Sequence, residues 1–109
     1  MSQNFKILFF LKKGKGKDEK SLSIYVRVTI DGERAEWSSQ RHCDLSRWNQ
    51  QTGRALGNKE EVKDLNQYLD AIQANIHQVQ KEYILRNEPV TATQVRLKFF
   101  IRPKRKNIL

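Results

Sequence analysis

Apolar and polar positions alternate without a fault from Leu22 to Ile30. Leu22, Ile24, Val26, Val28 and Ile30 fall on one side, and Ser23, Tyr25, Arg27 and Thr29 on the other. A sustained period of two predicts a strand with one buried and one wet face. Asp31-Gly32 follows. Both central positions of a type I′ turn need positive φ, which Asp tolerates and Gly adopts freely, so a tight hairpin is expected, with its return strand from Glu33 to about Gln40. A two-residue turn sets the pairing. Ile30 faces Glu33, Thr29 faces Arg34, Val28 faces Ala35, Arg27 faces Glu36, Val26 faces Trp37, and Tyr25 faces Ser38. On that register Ala35 and Trp37 join the buried valines. Tyr25, Arg27, Thr29, Arg34, Glu36 and Ser38 share the wet face.

Phe5 to Lys12 also reads as a strand, with Phe5, Ile7, Phe9 and Leu11 on one face. Leu8 and Phe10 fall on the other, so this strand is either central or partly covered on both sides. Lys13 to Ser21 is a loop broken by Gly14 and Gly16. Arg41 to Asn58 is irregular, with a turn around Gly53 and Trp48 as the anchor that folds it onto the core. Val62, Leu65, Leu69, Ile72, Ile76, Val79 and Tyr83 then recur at steps of three and four. This narrow seam predicts a long helix from about Lys59 to Arg86, capped by Asn58, with Glu60, Glu61 and Asp64 at the favourable end of its dipole. The seam could cover the sheet or zip two chains together. Asn66, Tyr68, Gln73, Asn75, Gln80 and Glu82 beside it offer no complementary charges to select a partner helix, which favours the sheet. Asn87 and Pro89 end the helix. Thr91 and Gln94 form a capping-box pattern, so a short helix is expected from about Ala92, carrying Val95, Leu97 (or Phe99) and Phe100 and stopped by Pro103. Its apolar side has no remaining element to cover it. The expected fold is α+β: a three-stranded antiparallel sheet packed on one long C-terminal helix, followed by a short connector helix. Residues 1–88 form the main domain and residues 89–109 the connector.

Charge changes the picture from fold to partner. The 109 residues carry a net charge of +9. Residues 1–57 are net +5, residues 58–87 net −1 and residues 88–109 net +5. The basic excess thus avoids the long helix and favours nucleic acid or another anionic surface elsewhere. A two-stranded ribbon fits the major groove, where arginine pairs bidentately with guanine and hydroxyls reach bases or phosphates. Tyr25, Arg27, Thr29, Arg34 and Ser38 are therefore the candidate DNA-binding residues of the sheet, and Lys12, Lys13, Lys15 and Lys17 the candidate phosphate contacts beside it. The plainer reading is a solvated face with an Arg27–Glu36 cross-strand ion pair; the flanking lysines tip the balance. Lys13-Gly14-Lys15-Gly16-Lys17 lacks the spacing and hydroxyl of a P-loop.

Other chemistry finds little support. Cys43 is the lone cysteine, and His42 beside it would point to the opposite face of a strand, so neither a disulfide nor a metal site is expected. His77 reads as a surface or partly packed residue. There is no nucleophile–base set and no call for a cofactor. The longest apolar run, Ile7 to Leu11, is flanked by lysines and far shorter than a membrane span, so a cytoplasmic protein without a membrane partner is expected.

The hairpin from Leu22 to Ser39 with Tyr25-Val26-Arg27 and Asp31-Gly32, then Trp48-Asn49, Thr52-Gly53-Arg54-Ala55, Leu65-Asn66-Gln67-Tyr68-Leu69 and Val90-Thr91-Ala92, resembles a known pattern. It is similar to the N-terminal arm DNA-binding domain of phage-integrase-type tyrosine recombinases, in particular those of Bacteroidetes mobile elements, over about residues 5–95. The resemblance implies a domain that grips double-stranded arm-type sites away from the crossover, with the sheet in the major groove and the helix behind. It also implies core-binding and catalytic domains beyond this chain, through which other recombinase protomers are met, and a monomer for the isolated module. The catalytic residues belong to those domains. Tyr25, Tyr68 and Tyr83 match no nucleophile, so the module itself is expected not to be an enzyme. The rival reading is a protein-interaction module using the helix seam or the Val95–Phe100 surface.

Overall fold

The computed structural model describes residues 3–13 and 21–100. Lys15, Lys17 and Pro103 lie outside the described residues. Three strands, β1 (Phe5–Lys12), β2 (Ser21–Ile30) and β3 (Glu33–Asp44), form an antiparallel sheet in the order β1-β2-β3. A 3₁₀ turn (Leu45–Arg47) leads into a small hairpin of β4 (Trp48–Asn49) and β5 (Arg54–Ala55). The helices α1 (Glu60–Leu85) and α2 (Ala92–Phe100) complete the α+β fold.

The β2–β3 register matches the expected pairing residue by residue from Ile30↔Glu33 to Tyr25↔Ser38. Its origin is the turn: Asp31 and Gly32 have φ of 51° and 88°, the two positive values a type I′ turn needs. β2 lies at the centre and β1 at an edge, which decides the open question about the first strand.

β3 does not end near Gln40. Tyr25 pairs with Ser38, but Ile24 pairs with Arg41, leaving Ser39 and Gln40 as a bulge. Gln40 takes a φ of 69°, and its N–H donates to the Ser38 Oγ at 3.0 Å. The buried Ser39 hydroxyl donates to the Ile24 carbonyl at 2.6 Å, filling the hydrogen bond that the bulge removes from the ladder. Because two residues are inserted, facing is preserved. Beyond the bulge Cys43 is buried and His42 exposed, on opposite faces as expected.

One sheet face carries the core. Phe9, Ile24, Val26, Val28, Ile30 and Trp37 meet Val62, Leu69, Ile72, Ile76 and Val79 of α1, with Leu65 and Tyr83 partly buried. The helix seam is therefore consumed within the chain. The cap differs from expectation. Lys59, not Asn58, is the N-cap and provides no side-chain bond; its carbonyl accepts the Val62 and Lys63 N–H groups at 3.0 and 3.1 Å. Glu60 and Glu61 supply the negative charge that the open first turn favours.

The β4–β5 hairpin is pinned on both sides. Trp48 is buried, as the anchor reading requires, and its indole N–H donates to Gln50, whose amide donates to the Phe9 carbonyl at 3.1 Å. Gly53, with φ of 68°, lies so close that a Cβ there would sit 3.5 Å from the Phe9 backbone oxygen. On the other side the Asn66 amide bonds both the N–H and the carbonyl of Ala55, at 2.9 and 3.0 Å. Arg54 donates to Asp70 and Gln73 of α1.

The short helix departs most from expectation. Its capping box forms, with Gln94 N–H to Thr91 Oγ1 at 3.1 Å and Thr91 N–H to Gln94 Oε1 at 2.9 Å. Yet its apolar side is not left bare. Ala92 and Val95 are fully buried, and Phe99 stacks on Trp37 with ring centroids 5.0 Å apart, while Leu97 faces solvent. Glu33 accepts from Ala92 N–H and Thr93 Oγ1, and Arg96 Nε donates to the Glu36 carbonyl at 3.0 Å. Gln3 brackets Val90 with two backbone hydrogen bonds and donates a third to Asp31. The sheet underside is wide enough for two helices, and α2 takes the β3 side.

Two outcomes follow for stability. Val95→Ala removes two methyl groups from a closed site and should cost roughly 2 kcal/mol in urea unfolding; no change would mean that α2 is merely tethered. The Gln3 amide and the Asn4 N–H hold the exposed Asp31 carboxyl below the ordinary aspartate range. A lowered folded-state pKa means this latch is complete above the unfolded-state value and is lost as pH falls through the folded one. Exchange protection of the Asn4 amide should accordingly hold from neutral pH down to the ordinary aspartate range and drop below it.

Candidate nucleic-acid interface

The sheet face away from both helices is open. Its residues follow from the register: Lys6, Leu8, Phe10 and Lys12 on β1, Ser23, Tyr25, Arg27 and Thr29 on β2, and Arg34, Glu36, Ser38 and His42 on β3. All five sheet candidates, Tyr25, Arg27, Thr29, Arg34 and Ser38, share this face with Lys12. Lys13 follows β1 and is exposed. Lys15 and Lys17 fall outside the described residues, so the lysine group is only half visible.

The candidates are not equivalent. Arg34 is exposed and, among the described residues, has no hydrogen bond or ion pair. Arg27 is tied down: its Nε donates to Glu36 Oε2 at 2.6 Å, and its guanidinium lies 4.8 Å over the Phe10 ring. Both partners of this ion pair keep 29% of their side-chain surface. The second Glu36 oxygen lies 3.8 Å from the Lys12 ammonium, which itself sits 4.7 Å over the Tyr25 ring. Tyr25 and Phe10 are 6.1 Å apart, centroid to centroid. Five side chains from three strands thus interlock at the middle of the face: two cations, two rings and one carboxylate. The cross-strand ion pair of the plainer reading is real, and it sits inside the basic cluster. The Ser38 hydroxyl is already engaged by the bulge.

Four residues of the face are not assigned to it by the sequence alone. Phe10, Leu8 and Lys6 belong to this face only because β1 lies beside β2, and nothing in the sequence alone settles that order. His42 joins them through the two-residue bulge. Glu36 was visible on the wet face, but its double partnership depends on Lys12 arriving from β1.

At the far end of the sheet a cleft of about 810 Å³ lies between β3 and the start of α1, lined by Arg41, Arg47 and Lys59 but also by Asp44, Glu61 and Asp64. The mixed charge gives it no preference for an anion. Arg41 lies 4.2 Å over the Tyr68 ring, whose hydroxyl donates to the Ser39 carbonyl, so it braces the bulge. Burial and the neighbouring Asp44 carboxylate push the Cys43 thiol up and outweigh a smaller downward pull from Arg47, so the protonated form is favoured. Among the described residues no three His, Cys, Asp or Glu side chains group as a metal site would require, and no helix is long and apolar enough to cross a membrane.

No curated protein and no solved structure gives a significant match to the chain. A family model described as an arm DNA-binding domain does match, over residues 9–96. That span takes in β2, β3, α1, the second half of β1 and the first part of α2, and with them most of the open basic face; the chain belongs to the arm DNA-binding domain family, a DNA-binding module of recombinases.

Proposed function

We propose that the open sheet face enters the major groove of double-stranded arm-type sites and reads them sequence-specifically, as the accessory domain of a site-specific tyrosine recombinase. One observation carries the reading. Basic, aromatic and hydroxyl side chains gather on the open face, while both helices and every large buried side chain lie on the other. Three strands at a spacing of about 4.8 Å span roughly 10 Å, which suits a groove about 12 Å wide. Arg27, Arg34, Thr29 and Tyr25 are the base-or-phosphate group. Lys12 and Lys13, with Lys15 and Lys17 following them in sequence, are the phosphate group flanking it. Ser38 stays in the set through its unused hydroxyl lone pair. Catalysis, and contact with other protomers, would rest with separate domains of the full recombinase.

The rival interaction reading finds less support, although Leu97 stays exposed and the Phe100 side chain lies outside the described residues. The helix seam is buried under the sheet, and Val95 and Phe99 are occupied by the core and by Trp37.

Two measurements test the proposal. Duplexes selected from a randomised pool should bind with log affinity falling against log salt at a slope of about −5, the value for five or six neutralised phosphates. A salt-independent interaction would sink the reading. Arg34→Ala, which removes the unpaired guanidinium, should weaken the best selected duplex by about 1–3 kcal/mol with little change in folding stability. An unchanged affinity would remove Arg34 from the interface.

A further inference from the structure

The carboxylate at the centre of a DNA-facing surface calls for a role. Asp31 is held by Gln3 and Asn4, and Glu33 is turned toward α2. Asp44 lies at the end of β3, and among the described acidic residues Glu36 alone projects into the middle of the open face, between Arg27 and Lys12. Its backbone is fixed from behind by Arg96. A residue that merely balanced charge would not need cations on both oxygens and rings under both cations.

We infer that Glu36 is a specificity-determining residue, acting through Arg27 to favour a guanine-bearing site over phosphate-only binding. This rests on the groove-reading proposal and deepens it. The geometry gives the reason. A guanidinium can address guanine side-on, through Nε and one terminal amine, or end-on, through both terminal amines. Glu36 occupies Nε at 2.6 Å, and Phe10 supports the plane from below at 4.8 Å. Only the end-on mode remains. That pair of donors, held in one orientation, matches the O6 and N7 acceptors of guanine. The order imposed beforehand lowers the cost of fixing a long side chain on binding.

The carboxylate also acts against the wrong complex. Non-specific binding is almost entirely phosphate neutralisation. Glu36 withholds Arg27 from free roaming toward phosphates. The same charge costs little when a base edge arrives, because Arg27 keeps it neutralised. Specificity is then a difference between two affinities, widened by weakening the unwanted one.

The test is Glu36→Gln, which keeps the shape and removes the charge. Wild-type and variant domains are each titrated with the best duplex selected by the wild type from a randomised pool and with an unselected mixed-sequence duplex. The variant is expected to bind mixed-sequence DNA more tightly, with a salt slope steeper by about one unit. Its discrimination between the two duplexes should fall on the order of tenfold. In an Arg27→Ala background the same substitution should leave discrimination unchanged, because the carboxylate acts through that arginine. Selection repeated with Glu36→Gln should lose information at a guanine position that the wild type enforces. If Glu36→Gln alters only the melting temperature and the ratio holds, the role is structural and the inference is overturned. If wild type discriminates but Glu36→Gln has its full effect without Arg27, the route through Arg27 is wrong and the inference fails. A wild-type domain with no DNA affinity overturns the groove reading itself, and this inference with it.

Discussion

Everything distinctive in this domain depends on the two-residue turn at Asp31-Gly32. Two consecutive positive φ values lock the β2–β3 register, and the register decides which side chains go under the helices. A slip of β3 by one residue would send Arg34 and Glu36 toward the core and bring Ala35 and Trp37 into water. The turn is reinforced accordingly. Asp31 accepts from both Gln3 and the Asn4 N–H, and its own N–H donates to the Asn4 carbonyl, so the start of β1 is stitched to the hairpin tip. Gln3 carries the stitch on to Val90, and thereby to α2. One short turn thus connects all three strands and the second helix.

The two sheet edges show how the rest of the chain protects that arrangement. An unpaired strand edge invites another chain to pair with it. Gln50 of the small hairpin reaches the Phe9 carbonyl on the β1 side. Arg96 of α2 reaches the Glu36 carbonyl on the β3 side. Each bond occupies one outward carbonyl of an edge strand, and the open face is the broad exposed surface of the sheet. The hairpin and α2 therefore frame the candidate face without contributing side chains to it. The motif residues Arg54, Asn66 and Tyr68 do their work here, in holding hairpin, helix and bulge together.

How far the sequence discloses this depends on the range of the forces involved. Local patterns were legible. The alternation of β2, the Asp-Gly turn, the α1 seam and the Thr91–Gln94 capping box each involve residues close in the chain, and each has a periodic or stereochemical signature. The bulge was not legible, because nothing about Ser39-Gln40 marks a left-handed glutamine. Its stability comes from the distant Ile24 carbonyl and from Tyr68 beneath it. The docking of α2 was missed for a related reason. The pattern of α1 alone supplies one apolar stripe for the sheet, and only the stacking of Phe99 on Trp37 shows that a second helix shares the cover. The candidate site divides the same way. Membership of the face followed from register, whereas the Arg27–Glu36–Lys12 cluster needed β1 to lie beside β2.

That division bears on how such a face works. A surface defined by register alone would present five interchangeable polar side chains, attractive to any polyanion. The cluster makes them unequal. Arg27 is held rigid and partly neutralised, while Arg34 stands exposed with no partner among the described residues. A free cation gains most from phosphate, where geometry is forgiving. A held one gains most from a base edge, where geometry is demanding. Under the proposed groove reading, the same sheet would approach DNA through its loose charges and commit to a site through its fixed one. The physical difference between the two arginines is a single carboxylate on the neighbouring strand.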